Sequence, residues 1–318
     1  MEPYLPNYLK GKNRRLVFDL LRERGQMSRA EITRDTGMSF PTAMKVVDAF
    51  LEKGLLVELD ETGPAAGAGR KGRLLRFEPG AYRAVGVECE GRFARVGLAD
   101  MAGGVQARET IELGDFARTR DLSPLAAAIR RMCAAANGAP VLGVCIGFPA
   151  NLDPDAAAIV SYAAMDIQQP TSFAQVFPAF WREVELPVYL ENDANLACEG
   201  EAFLRRGAGG AANMLYLSIG SGCGGAVRLD GKLRRGARCR AGEVGAMLLQ
   251  PALGAPGRSA ARETLEDAVC LAALERRFGA ALRDGAQPGE ASAQAMRDYL
   301  CGPLSGAVYS LVMTLDVE

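Results

Sequence analysis

Three places in the sequence combine residue types that could do chemistry. Glu191-Asn192-Asp193-Ala194-Asn195 closes an apolar run, so Asn192 and Asp193 fall at the carboxyl end of a strand, where α/β sheets collect ligands. An amide beside a carboxylate supplies two donors and several acceptors, which suits the hydroxyls of a sugar. The same pair also fits a helix cap. Gly220-Ser-Gly-Cys-Gly224 would bare backbone N–H groups to a phosphate, because glycines put no β-carbon in the way. A plain glycine hairpin fits those residues equally. Arg70-Lys71-Gly72-Arg73, with Arg76 beyond it and no acid between, is a cationic cluster able to meet a nucleic-acid backbone. The 318 residues contain no histidine. Ser-His-Asp and Cys-His catalysis, histidine-ligated metals and histidine proton relays are thereby excluded.

The length predicts two or three domains, and 49% apolar with 24% charged residues excludes disordered, collagen-like and coiled-coil chains. No apolar run of about 18 residues occurs, and Met1–Lys12 has no apolar h-region, so neither a membrane span nor a secretory signal is expected. A cytoplasmic location is the corresponding expectation. Eight cysteines lie scattered without C-x-x-C spacing, which predicts reduced, buried thiols and no metal. Charge is uneven: residues 1–80 carry 14 basic and 11 acidic side chains, and the remainder 23 and 27. A mildly basic head on a mildly acidic body permits nucleic-acid contact by the head.

Within residues 1–80, Leu16, Val17, Leu20 and Leu21 lie on one face of a helix over Asn13–Arg24, ended by Gly25. Ser28-Arg-Ala-Glu31 is a capping box that starts a second helix running to about Thr36, and Gly37 turns the chain. Ser39 can cap a third helix, with Pro41 tolerated in its first turn and Ala43, Val46, Val47, Phe50 and Leu51 as its inner stripe. Two strands, Leu55–Leu59 and Arg73–Phe77, flank a tip rich in Gly, Pro and Ala. This order predicts a winged helix-turn-helix. Ser39, Phe40, Thr42 and Lys45 are candidate base readers; Arg14, Arg70, Lys71 and Arg73 are candidate phosphate or groove contacts. A unit of this shape can also serve protein interaction alone.

Residues 81–318 read as a second, α/β domain. Strand runs at Ala84–Val87 and Ala94–Ala99 recur about 130 residues later as Met214–Ile219 and Gly225–Leu229. Helical stretches at Ser123–Asn137 and Phe173–Glu185 alternate with strands at Val141–Ile146 and Pro187–Leu190. The repeated hairpins predict a two-lobed body with a cleft.

These segments together resemble the ROK family (repressors, open reading frames and kinases). The resemblance rests on Gly143-Val-Cys-Ile-Gly-Phe-Pro149 with Asp153-Pro154, Glu191–Asn195, Gly220–Gly225 followed by Asp230-Gly231, and Ala241-Gly-Glu-Val-Gly245. It implies an actin-like, sugar-kinase-like (ribonuclease H-like) body. It also implies Asp193 as the base of a kinase, Asn192, Asp193 and Glu243 as sugar ligands, and Glu88, Gly91, Gly220, Gly222 and Gly224 as remnants of phosphate loops. Several positions depart from the family pattern. Its first loop reads Asp-x-Gly-Gly-Thr, and here Glu88-Cys89-Glu90-Gly91-Arg92 sets an acid where a nucleotide phosphate would approach, with Arg92 able to offset it in part. Ala246 replaces a sugar- and zinc-binding histidine, Pro251–Arg258 lacks the zinc-loop cysteines, and Ala164-Met165 replaces a sugar-side Asn-Leu pair. Family members continue past Leu315-Asp-Val-Glu318, so the C-terminal end reads as incomplete.

The resulting expectation is a transcription regulator with no cofactor. Its head would bind a double-stranded DNA operator, and its body would form a homodimer or higher homo-oligomer and take a sugar or sugar phosphate. The competing expectations are an ATP-dependent sugar kinase that has kept a DNA-binding head, and a scaffold that binds no ligand.

Overall fold

The chain, a computed structural model, is described over residues 5–62, 73–205, 212–249, 263–279, 289–315 and 317. The head comprises α1 (Leu5–Arg24), β1 (Gln26–Ser28), α2 (Arg29–Thr36), α3 (Phe40–Glu52), β2 (Leu56–Thr62) and β3 (Arg73–Phe77). The capping box forms as its residues require: Ser28 Oγ accepts from Glu31 N at 3.3 Å, and Glu31 accepts from Ser28 N at 2.8 Å. The bonds that Ser28 N and Ser28 Oγ donate to it hold the Glu31 carboxyl below its ordinary value. Gly37, at φ +66°, then ends α2 in the left-handed conformation.

Two sequence expectations change in the head. Ser39 makes no side-chain cap to α3; its hydroxyl bonds Thr42 Oγ1 at 2.8 Å, while its carbonyl accepts from Thr42 and Ala43 N. The wing is also three-stranded, in the order β1-β3-β2, because Met27 pairs with Leu75 and both are buried. Val17 and Leu21 of α1, Ile32 of α2 and Val46, Val47 and Phe50 of α3 close this core against Leu56, Leu75 and Phe77.

The body begins with β4 (Arg83–Glu90), β5 (Phe93–Asp100), β6 (Val105–Glu112), α4 (Phe116–Thr119), α5 (Ser123–Ala135) and β7 (Val141–Phe148). It continues through β8 (Asn151–Asp153), β9 (Ala158–Ser161), β10 (Thr171–Ser172), α6 (Phe173–Val176), α7 (Pro178–Glu183), β11 (Val188–Asn192) and α8 (Asp193–Arg205). A five-stranded sheet in the order β11-β7-β4-β5-β6 has α5 on β4–β6 and α8 on β7 and β11. β4, β7 and β11 are parallel; β5 and β6 extend the sheet antiparallel. Phe148, fully buried, anchors the core edge-on to Phe116, Tyr162, Phe173 and Phe177, with centroids 5.4–5.9 Å apart.

The stretch expected as one helix over Phe173–Glu185 is broken at Phe177-Pro178, where proline cannot donate back and the residue before it leaves helical φ/ψ.

The second lobe holds β12 (Met214–Ile219), β13 (Cys223–Leu229) and β14 (Lys232–Leu233) in one antiparallel sheet. α9 (Leu265–Val269), α10 (Leu271–Phe278) and α11 (Glu290–Leu315) follow, with Cys223, Val244, Leu265, Val269 and Ala307 forming its core. No helix among the described residues is long and apolar enough to cross a membrane. The 251–258 segment, expected to have lost its zinc ligands, lies outside the described residues.

Candidate functional site

Strand register brings the first set of side chains together. Glu88 on β4 pairs with Gly147 on β7, and Gly147 with Glu191 on β11, so three parallel carboxyl ends finish level. A β-carbon at Gly147 would stand 3.2 Å from Leu196 Cδ2 and 3.3 Å from Asp193 Cα. Its absence lets α8 start directly above the sheet. Opposite these strand ends lie the β12–β13 loop and the segment after β14. Between them is a cleft of about 900 Å³, lined by Glu88, Glu90, Asn192, Asp193, Glu243 and Glu266 together with Gly220, Gly222 and Gly224.

Asn192 performs the capping role that its residue type allowed. Its Oδ1 accepts from Asn195 N at 3.1 Å, the first turn of α8, and its Nδ2 donates to the Ala150 carbonyl at 3.3 Å. One amide proton is left for a ligand. Asp193 accepts from Ala194 N at 2.9 Å with Oδ1. Burial raises its carboxyl above the ordinary value against that bond, and the charges of Glu88 and Glu243 raise it further. Glu243 is open to solvent at the mouth yet has protein on its other sides, so desolvation raises its carboxyl as well. Asn151 on β8 donates to Glu243 Oε1 at 2.7 Å and to the Cys239 carbonyl at 3.1 Å while accepting from Ser161 Oγ at 3.0 Å, the amide orientation its neighbours require. Sequence reasoning missed Asn151, Ser161, Arg240 and Glu266 as cleft residues, because none belongs to a run with a spacing of its own.

The two glycine loops differ. In the β4–β5 turn, Arg95 donates to Glu88 Oε2 at 2.8 Å and to Glu90 Oε2 at 3.0 Å. Arg92, expected to offset Glu90, instead donates to Glu112 at 2.9 Å. The reason is cross-strand register: Glu88 lies opposite Arg95, whereas Arg92 sits in the turn and points back along β6. Gly91 is the exposed turn residue at φ +56° and does not line the cleft. Glu90 nonetheless reaches across it: its Oε1 would lie 3.0 Å from a β-carbon at Gly220. In the second loop Gly220 N bonds the Gly222 carbonyl at 2.9 Å, and Glu266 accepts from Cys223 N at 2.9 Å. Two amides that a phosphate would use are therefore already engaged. Burial pushes the Cys89 thiol up to about 12, so it is no nucleophile at neutral pH. Among the described residues no group of three or more Cys, Asp and Glu is placed to hold a metal ion.

The head presents a second surface. Ser39 and Lys45 are exposed, Thr42 is half-buried, and the Phe40 ring is 56% exposed at the start of α3. Arg14 projects from α1 into solvent. Arg73 lies 3.9 Å from Glu58, and Arg76 is paired with Glu78 at 2.6 Å, which removes it from the free cations of the wing. Arg70 and Lys71 lie outside the described residues.

Together these features define a two-lobed, sugar-kinase-like body joined to a three-helix head with a wing. The ROK family model matches residues 84–298, and the chain belongs to the ROK family. It is similar to the xylose repressor of Caldicellulosiruptor bescii, 27% identical over 74% of this chain and 58% of that protein. It is also similar to the glucokinase of Halalkalibacterium halodurans, 34% identical over 42% of this chain and 40% of that protein. The chain thus spans about half the length of these curated relatives. A solved structure described as a ROK family transcriptional regulator, homologous to the E. coli MLC protein, superposes with a TM-score of 0.74 at 18% identity, covering 98% of this chain and 82% of that one. The ROK hexokinase of Thermus thermophilus superposes with a TM-score of 0.54 at 26% identity, covering 74% and 79%.

Proposed function

We propose that the protein is a DNA-binding transcriptional repressor of sugar metabolism whose body has given up sugar phosphorylation. The observation that carries this reading is the leading edge of α3, with Ser39, Phe40 and Lys45 exposed and Thr42 half-buried beside them, presented by a winged three-helix head on a ROK body. An α-helix fits the major groove, while Arg14, Arg70, Lys71 and Arg73 supply cations for phosphates or the narrow groove. One head covers a single half-site, so the active species is a symmetric homodimer. The similarity to a xylose repressor supports the same reading.

The cleft holds the effector, with Asn192, Asp193 and Glu243 as ligands. Its walls carry five carboxylates (Glu88, Glu90, Asp193, Glu243 and Glu266) and one guanidinium, Arg240. Like charges about 4 Å apart repel by roughly 4 kcal/mol at an effective dielectric near 20. Arg95 neutralises part of this at Glu88 and Glu90. The remaining Asp193, Glu243 and Glu266 against Arg240 favour an uncharged sugar over a sugar phosphate. Glu90 occupies the space beside Gly220 where a nucleotide phosphate would approach. Binding that prefers one lobe arrangement shifts operator affinity, by 5- to 150-fold for a coupling of about 1–3 kcal/mol.

Gel-shift titration against the chain's own promoter region tests the reading. Replacing Arg70, Lys71 and Arg73 together by alanine should weaken binding and flatten its salt dependence by up to about 0.9 per lost phosphate contact. An unchanged slope removes the wing from the interface, and no binding at all removes the reading. The second reading, a sugar kinase with Asp193 as base, is favoured by the placement of that carboxylate at the start of α8. Robust ADP release with hexoses or N-acetylhexosamines, abolished by Asp193→Asn, would establish it instead.

A further inference from the structure

We propose that α8 is the mechanical link between the cleft and the head, clamped at its first turn by Glu191 and Arg235 and at its last by Phe203 against Arg22. The proposal rests on the reading above, that the cleft takes a ligand and the head takes DNA.

The cleft end is a charged clamp. Glu191 is 8% exposed and uses both carboxylate oxygens. Its Oε1 accepts from Asn192 N at 3.0 Å and from Asn195 Nδ2 at 3.1 Å, which fixes the start of α8. Its Oε2 accepts from Arg235 Nε at 2.8 Å and Nη2 at 2.5 Å. Arg235 follows β14 and so belongs to the opposite lobe, in the same segment that brings Arg240 and Glu243 into the cleft. Any rearrangement of that segment around a ligand must pull on Glu191, and through it on the helix start. Removing Arg235 alone is costly because Glu191 would be left desolvated and unpaired.

The far end touches the head. α8 is 13 residues long, about 20 Å at 1.5 Å per residue, and rigid over that distance. Near its end the Phe203 ring lies under the Arg22 guanidinium, 3.9 Å from Cζ to centroid, and the Phe203 carbonyl accepts from Arg22 Nη2 at 3.4 Å. The same ring closes against the β5–β6 turn, leaving only 2.9 Å to a β-carbon at Gly103. Met101 and Ala102 of that turn pack on the head's core. Arg22 Nε is buried there without a hydrogen-bond partner. A desolvated donor left unpaired disfavours the docked arrangement, so the seam holds the head without locking it. A contact of that kind can exist in two states, which is what a coupling element needs.

Hydrogen-exchange mass spectrometry on the full chain tests this without DNA or ligand. The variants are Arg235→Gln, Phe203→Leu and their combination, with melting curves confirming that each is folded. Arg235→Gln should speed exchange of the amides in 193–197, and also in 18–24 of α1, by about fivefold, the lower end of allosteric coupling. Phe203→Leu should loosen 18–24 by itself. In the Phe203→Leu background, adding Arg235→Gln should still loosen 193–197 and add nothing in α1. Unchanged α1 exchange in Arg235→Gln overturns the proposal, and so do additive effects in the double variant. If Arg235→Gln does not fold, Arg235→Lys replaces it, with the same pattern at smaller amplitude expected and its absence overturning the proposal. A chain that fails in the gel shift but shows this coupling loses the DNA reading and keeps the link.

Discussion

The two hairpins that face each other across the cleft share a topology and differ in chemistry. The β4–β5 hairpin is sealed by a surface ion-pair cluster, Arg95 with Glu88 and Glu90, and its turn glycine is exposed with open space around it. The β12–β13 hairpin is packed from behind: a β-carbon at Gly245 would lie 2.1 Å from the Cys223 carbonyl oxygen, and one at Gly225 2.8 Å from Val244 Cγ2. The first hairpin can change its charges with little cost to the fold, because they stand in solvent. The second cannot change shape. In this body the charges at β4–β5 are free of packing, whereas the glycine framework at β12–β13 is under steric constraint.

Substitutions in the turn of the first hairpin and in the segment packed behind the second sharpen the contrast. Gly245→Ala should destabilise by about 3 kcal/mol, the upper range for overpacking, and lower the melting temperature by about 6–12 °C. Gly91→Ala meets no neighbour and carries only the left-handed backbone cost, about 1–2 kcal/mol. Equal shifts in calorimetry would erase the distinction between the hairpins.

A smaller effect is expected from the acid between them. Asp193 is raised by burial, so the fold favours its protonated form. Its ionisation therefore costs stability as pH rises from the ordinary value of 3.8 through the raised one. Asp193→Asn should melt above wild type at pH 7, with the gap closing as pH falls below about 4. A gap that persisted in acid would assign the gain to packing instead. The smallest effect belongs to Arg95→Ala. Its pairs are more than half exposed on the arginine side, so stability should change by no more than about 1 kcal/mol. A larger loss in denaturant titration would show that the β4–β5 cluster is structural after all.

Much of this was legible beforehand, for reasons that differ by region. The capping box at Ser28 and the left-handed Gly37 are local, and appeared where their residue types placed them. β1 escaped because three residues are too few to show a period. β6 escaped because only one of its faces is covered and Arg108, Glu109 and Glu112 interrupt its apolar residues. The partner of Glu90 could have been found. A two-residue turn at Gly91-Arg92 sets residue 88 opposite 95, and that pairing excludes Arg92 from the role.

By itself the sequence determined the order of the head's three helices and of the body's main strands, the family of the body, the lack of any imidazole and the acid in the first loop, since each of these is local or compositional. Only the tertiary structure decided which guanidinium answers that acid, that Asn192 spends its carbonyl on α8, and that Arg22 meets Phe203 across 181 positions of chain. Contacts of that separation follow from strand register and packing, and no spacing along the chain encodes them.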